Sequence, residues 1–543
     1  MKDILLLYLN PIDWASIAAP PYGLEILAAS IADLPVSVSI ENPFLYADPN
    51  SYISSLLRTK KFDMIALSIR NLDNMAHVWR QGDDGDKNID SRCFLDDILP
   101  VVETICKEYS GLIICGGAGF SIAPIELLNL FAIQYGICGP GEETFRILVE
   151  RILDNENMDN YIKANYKHLP GMVYVKDTEN KSISKLLQTN VKKRHPSYSS
   201  EWVGHTPVRI SYGCNGQCMY CVERNAENGV QFRPLTDVIE EIEDVGKEGK
   251  SIWLACSEAN MPNSNYITEL CNMVVERGIN NRFTSYFIPK NFTQAMYEKL
   301  ICAGFTSHSI CLGISHISNK VLAQNHIPYR REDIENTLDI FLNNKAAGVT
   351  IGLILGLDGE DEESFSELAE WIVQSSKKFG SGFRCFINSG VRIYPHTPLA
   401  KKIYSSDYLP KLYGQKPPFD LLRPLVYSSY KEPHIMLEEF LSMTKDAQGI
   451  VTAYNKGNTL MQDDKEVFIY YQKAMLYKST KQFDLAANYL EKAYHKANLS
   501  ENKRVMNVER MKIRKYLNNQ KQNNLDQDTS IKTDYSKVEN STK

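Results

Sequence analysis

From residue 1 to about 155, short apolar runs alternate with amphipathic stretches: ILLLYL, GLEILAASIA, VSVSI, MIALSI, LDDILPVVETI, LIICGG and YGICGPGEETFRILVERIL follow one another. Apolar runs of strand length, bounded by turn residues and separated by segments of helical period, predict a doubly wound parallel sheet. Ligands of such sheets bind beyond the carboxyl ends of the strands. Those ends carry Asn10-Pro11, the segment Arg70 to Asn74, the turn Gly116-Gly117-Ala118-Gly119 and the turn Gly139 to Glu143. Several glycine turns at one edge suit a large ligand lying close to backbone.

Residues 156–204 read as a linker, with a turn at Pro170-Gly171 and a basic run from Lys192 to His195. The alternation resumes over 205–400 with VRISYG, SIWLAC, RFTSYF, SICLGI, TIGLIL and FRCFI. Six such units predict a partial or complete (β/α) barrel of parallel strands with its site at their carboxyl ends. Residues 401–516 form a C-terminal region that reads as helical only from about 435. Within it, YYQKAMLYKSTKQFDLAANYLEKAYHKA has the small and aromatic spacing of one tetratricopeptide-like helix pair, too little for a solenoid. Residues 517–543 are polar and poor in apolar groups, so a disordered tail is expected. The fold class is therefore α/β, a doubly wound domain followed by a partial barrel and a helical extension.

Composition narrows the class. Hydrophobic residues make up 43% and charged residues 23%, and no apolar run approaches the roughly 18 residues that a membrane-spanning helix needs. The start, MKDILLLYLNPID, carries Asp3 early and lacks a small-residue cleavage site, so it reads as a buried first strand of a cytoplasmic protein. A formal net charge of −6 argues against a broad nucleic-acid surface. Twelve cysteines in such a chain point to metal ligands or buried thiols rather than disulfides. Nine of them, Cys93, Cys115 and Cys302 included, are assigned to packing.

The other three carry chemistry. Cys214, Cys218 and Cys221 lie within the loop YGCNGQCMYC, directly after a predicted strand. Soft thiolates so spaced suit an iron–sulfur cluster, whereas structural zinc wants a fourth Cys or His close by. Three ligands on four irons leave one iron open. The C-x-x-x-C-x-x-C spacing, with Tyr220 before the third cysteine, resembles the radical S-adenosylmethionine (SAM) superfamily, and the resemblance spans about residues 200–400. It implies a 4Fe-4S cluster and SAM as cofactors, the cysteines being both metal ligands and catalytic residues. It also implies SAM contacts from Glu258 or Asn260 at the end of the second strand, from Ser315 in the turn LGISH, and from Gly356 in LILGLDGEDEESF. An acidic residue is common in the family where Ser315 stands.

The doubly wound domain ending in GPGEETFRIL, placed before such a core, resembles the cobalamin-binding radical SAM class, in which the corrin ring lies across the strand ends. The D-x-H-x-x-G element that supplies a histidine to cobalt is absent after the first strand. The resemblance implies Arg70 at the lower corrin face, the alternative being a surface pairing with Asp73. Ser68, Gly116, Gly117, Gly119 and Gly139 are further corrin contacts. The expected function is a cobalamin-dependent C-methyltransferase acting on a small metabolite or peptide natural product, with flavodoxin or ferredoxin as electron donor. Cyclisation, ring rearrangement and a cobalamin or cluster sensor are the alternatives.

Overall fold

The computed structural model describes residues 1–11, 20–46, 48–74, 79–81, 87–89, 92–175, 206–223, 229–246, 251–453 and 483–497, with scattered helical positions between 467 and 517. It divides into two compact units: one holds nearly all of residues 1–457, and the other holds 458–543 with the short pieces 12–18 and 201–203.

The first sheet of the larger unit contains β1 (Lys2–Leu9), β2 (Val36–Glu41), β3 (Met64–Ile69), β4 (Leu112–Gly116), β5 (Tyr135–Ile137) and β6 (Met172–Tyr174), in the order β2-β1-β3-β4-β5-β6. All neighbours are parallel except β5 and β6. The apolar run of β1 is continuous because both its faces are covered. Leu5, Leu7 and Leu9 join one core with Ile53 and Ile98, while Ile4, Leu6 and Tyr8 join another with Leu24, Phe145 and Leu148. The helices α1 (Tyr22–Ser30), α2 (Pro49–Thr59), α3 (Leu95–Glu108), α4 (Pro124–Phe131) and α5 (Glu142–Leu153) supply those partners. The sheet runs beyond residue 155: α6 (Met158–Asn165) and β6 lie in the stretch that the sequence assigns to a linker. The rest of that stretch, 176–205, lies outside the described residues.

The second sheet takes β7 (Thr206–Arg209), β8 (Ile252–Ala255), β9 (Phe283–Phe287), β10 (Phe305–Gly313), β11 (Val349–Leu355) and β12 (Phe383–Ser389) in chain order, all parallel. It gains a seventh strand, β13 (Ile450–Ala453), which pairs with β12. This corrects the helical-only expectation for the region after 435: a four-residue strand has too few positions to show a period, and its partner lies some 60 residues earlier. A small antiparallel sheet of Val391–Arg392, Leu412–Tyr413 and Val426–Tyr427 follows β12. One face of the large sheet, with Val208, Leu254, Phe287, Leu312, Ile351 and Ile387, is buried in the main core. The helix Glu362–Phe379 behind it starts at a capping box of Asp361 and Ser364.

In the second unit the helix Phe483–Lys496 buries Ala486, Leu490 and Ala493, spaced as one helical face. Arg510 grips Glu491 there through two hydrogen bonds of 2.8 and 2.6 Å. Most of the other helix of the expected pair lies outside the described residues, as does 518–543 of the expected tail. Among the described residues, no helix is long and apolar enough to cross a membrane.

Candidate active site

The cysteine loop leaves the carboxyl end of β7. Cys214, Cys218 and Cys221 form no disulfide and are half-buried. The loop is pinned at its middle: the Met219 amide donates to the Asn325 carbonyl at 3.0 Å, and the Met219 carbonyl accepts from Leu399 at 3.1 Å. Asn325 is itself fixed, its side-chain amide donating to the carbonyls of Val321 and Asp358 at 2.8 Å each. Cys214 Sγ accepts from the Gly216 amide at 3.2 Å. Burial, with the charges of Cys221 and Cys214, pushes the Cys218 thiol up to about 12, and burial also raises Cys214. Thiols raised in this way become ligands only when a metal charge compensates the thiolates, which is the behaviour of a cluster site. Among the described residues, no group of three or more His, Cys, Asp and Glu is arranged to hold a single metal ion.

Glu258 lies beside this loop. Its Oε2 is shut off from solvent with no hydrogen-bond partner, and burial pushes the carboxyl up to about 8. Its Oε1 would lie 3.7 Å from a methyl group placed on Gly313, at the end of β10. A buried carboxylate oxygen without a donor costs free energy until a cationic or N–H-bearing ligand supplies one. The residues therefore fit a cluster carrying a ligand with an amino group. Asn260, the other candidate, is held differently. It is fully buried, donates to the carbonyls of Ile288 and Lys290 at 2.8 Å each, and accepts from the Ile288 amide at 3.1 Å. Its side chain ties the β8 exit to the β9 exit, with both amide hydrogens used and one lone pair left on Oδ1.

Tyr220 and Ser315 meet at 3.2 Å between hydroxyls. Tyr329, which the sequence reading missed, accepts from the Ser315 amide at 2.7 Å and donates to the Gly313 carbonyl at 3.0 Å. Gly356 has φ +86°, and a Cβ there would fall 2.6 Å from Ser428 Oγ. Packing of the backbone therefore already requires this glycine. Its amide donates to Glu360, whose other oxygen meets His316 Nε2 at 3.2 Å; both residues are fully buried. His316 Nδ1 accepts from the Ser318 amide at 3.0 Å, so Nε2 carries the proton and donates to Glu360.

At the first sheet's edge, Ser68 pairs in register with Tyr8 and Gly116. Gly117 has φ +101°, and a Cβ there would stand 2.4 Å from the Ile69 carbonyl. The Gly119 amide donates to that carbonyl at 2.9 Å, and the Gly139 amide donates to Ser121 Oγ at 2.9 Å. Arg70 acts on the Tyr8 hydroxyl, opposing the rise in its pKa that burial causes. Asp73 is fully buried against Arg392 at 2.9 Å, with Tyr394 at 3.4 Å, which links this edge to the end of the second sheet. A second link runs from Tyr212, two residues before the first thiol, to Glu142 at 3.0 Å. Of the nine cysteines assigned to packing, Cys93 and Cys115 are buried, but Cys302 and Cys106 are exposed: both fall at the solvent-facing C-terminal ends of their helices.

Residues 208–372 match the Radical SAM superfamily. Tryptophan 2-C-methyltransferase of Streptomyces laurentii is 21% identical over 458 residues, covering 70% of this chain and 72% of that protein. Ribosomal protein uS12 methylthiotransferase RimO of Clostridium botulinum is 26% identical over 214 residues, covering 37% of this chain and 46% of that protein. Among solved structures, the radical SAM methyltransferase TsrM of Kitasatospora setae, with cobalamin and a 4Fe-4S cluster bound, superposes with a TM-score of 0.67 at 17% identity, covering 90% of this chain and all of that one. The cobalamin-dependent radical SAM enzyme OxsB superposes at 0.56 and 14% identity, covering 94% of this chain and 70% of that one. Residues 208–372 are thus a radical SAM domain, and the chain has the fold of cobalamin-dependent radical SAM enzymes.

Proposed function

We propose that this protein is a cobalamin-dependent radical SAM methyltransferase that acts on a small molecule. The observation that carries the reading is the donorless Glu258 carboxylate at the strand ends of the second sheet, close enough to the cysteine loop for its charge to act on Cys214 and Cys218. The approach to that loop is tied by Tyr212 and Glu142 to the turns at the strand ends of the first sheet. A 4Fe-4S cluster on Cys214, Cys218 and Cys221 would leave one iron to bind SAM through its amino and carboxylate groups, and a corrinoid would carry the methyl group.

The protein's own residues then bind and orient. Glu258 accepts the amino hydrogen of SAM, which satisfies Oε2. Ser315, its backbone fixed by Tyr329 and its hydroxyl met by Tyr220, faces the ribose in place of a carboxylate. Gly356 leaves room for the adenosyl group. Arg70 meets the lower corrin face, and Ser68, Gly116, Gly117, Gly119 and Gly139 line its edge.

Anaerobic reconstitution with iron, sulfide and cobalamin, followed by transfer of labelled methyl from SAM, tests this. Label in a product supports methylation. SAM cleavage to 5'-deoxyadenosine with no label transferred would favour cyclisation or ring rearrangement over methylation. A preparation that binds neither SAM nor corrinoid would refute both.

A further inference from the structure

Met219 stands between Cys218 and Cys221 in the cysteine loop, and its side chain is buried. Its backbone is fixed by Asn325 and Leu399. Its thioether is met by Lys402, whose Nζ lies 3.3 Å from Sδ. The turn that starts at Leu399 brings the lysine there: the Lys402 amide donates to the Leu399 carbonyl at 3.0 Å, while the Leu399 amide donates to Met219. A thioether is a weak acceptor, so stronger partners must hold the ammonium. It donates to the Tyr408 hydroxyl at 3.0 Å and stands 3.7 Å from Asp358 Oδ2.

Asp358 is buried two positions beyond Gly356 and accepts from the hydroxyls of Tyr408 and Tyr427, the latter at 2.9 Å. Its backbone carbonyl accepts from the Asn325 side chain at 2.8 Å, and the Asn325 carbonyl accepts from Met219. A closed ring of contacts therefore runs from Met219 through Lys402, Asp358 and Asn325 back to Met219. The ammonium touches the loop itself, whereas the carboxylate touches the ammonium and the two phenols. An iron–sulfur cluster takes up a negative charge on reduction, and the charges around it set how readily it does so. A cation held against the middle of the ligand loop favours the reduced form, and the carboxylate that fixes this cation offsets part of the effect. The Lys402 side chain is 40% exposed, so water and salt weaken its field without removing it.

We propose that Lys402 raises the reduction potential of a cluster held by Cys214, Cys218 and Cys221, and that Asp358 keeps its ammonium in place. This rests on the cluster reading above and assigns the control of that cluster to a charge outside its ligands. In the test the full-length protein is reconstituted anaerobically with iron, sulfide and cobalamin and titrated with dithionite, which supplies the one electron the cluster takes up. Low-temperature electron paramagnetic resonance follows the reduced cluster. Lys402→Met keeps the length of the side chain but loses the charge, and should lower the potential by up to about 59 mV, a tenfold change in a one-electron equilibrium. Lys402→Arg should stay near the unmodified value, and Asp358→Asn should raise it. The opposite signs matter, because a merely disturbed loop would move both variants the same way. The proposal is overturned if Lys402→Met leaves the potential unchanged, if Lys402→Arg shifts as far as Lys402→Met, or if Lys402→Met and Asp358→Asn shift in one direction. It is equally overturned if Lys402→Met loses its iron, since the lysine would then hold the loop together rather than set its potential. Failure of the cluster reading would show separately, as an unmodified protein that takes up no iron.

Discussion

The Tyr212 hydroxyl donates to Glu142 at 3.0 Å, joining the approach to the cysteine loop to the first residue of the helix that follows the glycine turn at Gly139. The two residues are 70 positions apart, yet each lies next to a turn to which the proposed function assigns a cofactor. Tyr212→Phe removes only the hydroxyl. It should lower stability by about 1 kcal/mol, the net worth of one such bond, and leave iron content intact. Chemical denaturation with parallel iron analysis reads both. Loss of iron in Tyr212→Phe would show that the link shapes the cysteine loop itself.

Asp73, beyond the end of β3, and Arg392, in the small antiparallel sheet, form another such bond, and both are shut away from solvent. Breaking a buried pair from one side strands the other charge, so Arg392→Met should cost about 3–5 kcal/mol. Replacing both, as Asp73→Leu with Arg392→Met, should recover most of that loss in the same unfolding experiment. Equal losses in the single and double variants would mean that packing, not charge, is what the pair provides.

The strands were legible because alternate residues of β1 serve two cores and make its apolar run continuous, and the cysteine spacing was legible because its three ligands share one loop. Tyr329, the Glu360–His316 pair and the Asp73–Arg392 pair were not, since each is a meeting of segments that no local period or motif connects. Glu258 and Asn260 stand two positions apart and looked equivalent. Only the backbone path decides that one is left without a donor and the other is held by three hydrogen bonds.

That difference titrates. Burial lifts the Glu258 carboxyl from 4.5 to about 8, so the folded protein holds a proton that the unfolded chain releases in between. The stability this proton contributes is complete below the lower value and is lost as pH rises through the upper one. The cofactor-free Glu258→Gln variant should therefore gain stability relative to the unmodified protein between about pH 5 and about pH 9, by several kcal/mol at most. Urea denaturation at the two pH values measures it. A difference that does not change with pH would mean that Glu258 has a partner in solution. SAM affinity should rise with pH over the same range, and more steeply in the unmodified protein than in Glu258→Gln.

Iron and sulfide content, visible absorption and SAM cleavage, measured together after anaerobic reconstitution, bear most directly on the cluster assignment. The protein in which Cys214, Cys218 and Cys221 are all replaced by Ala should lose all of these signals at once, because no thiolate remains in the loop to hold a cluster. Cys302→Ala, a change at an exposed helix end, should keep them. A triple-alanine protein that retains its cluster absorption would place the ligands elsewhere in the chain and contradict the site described above.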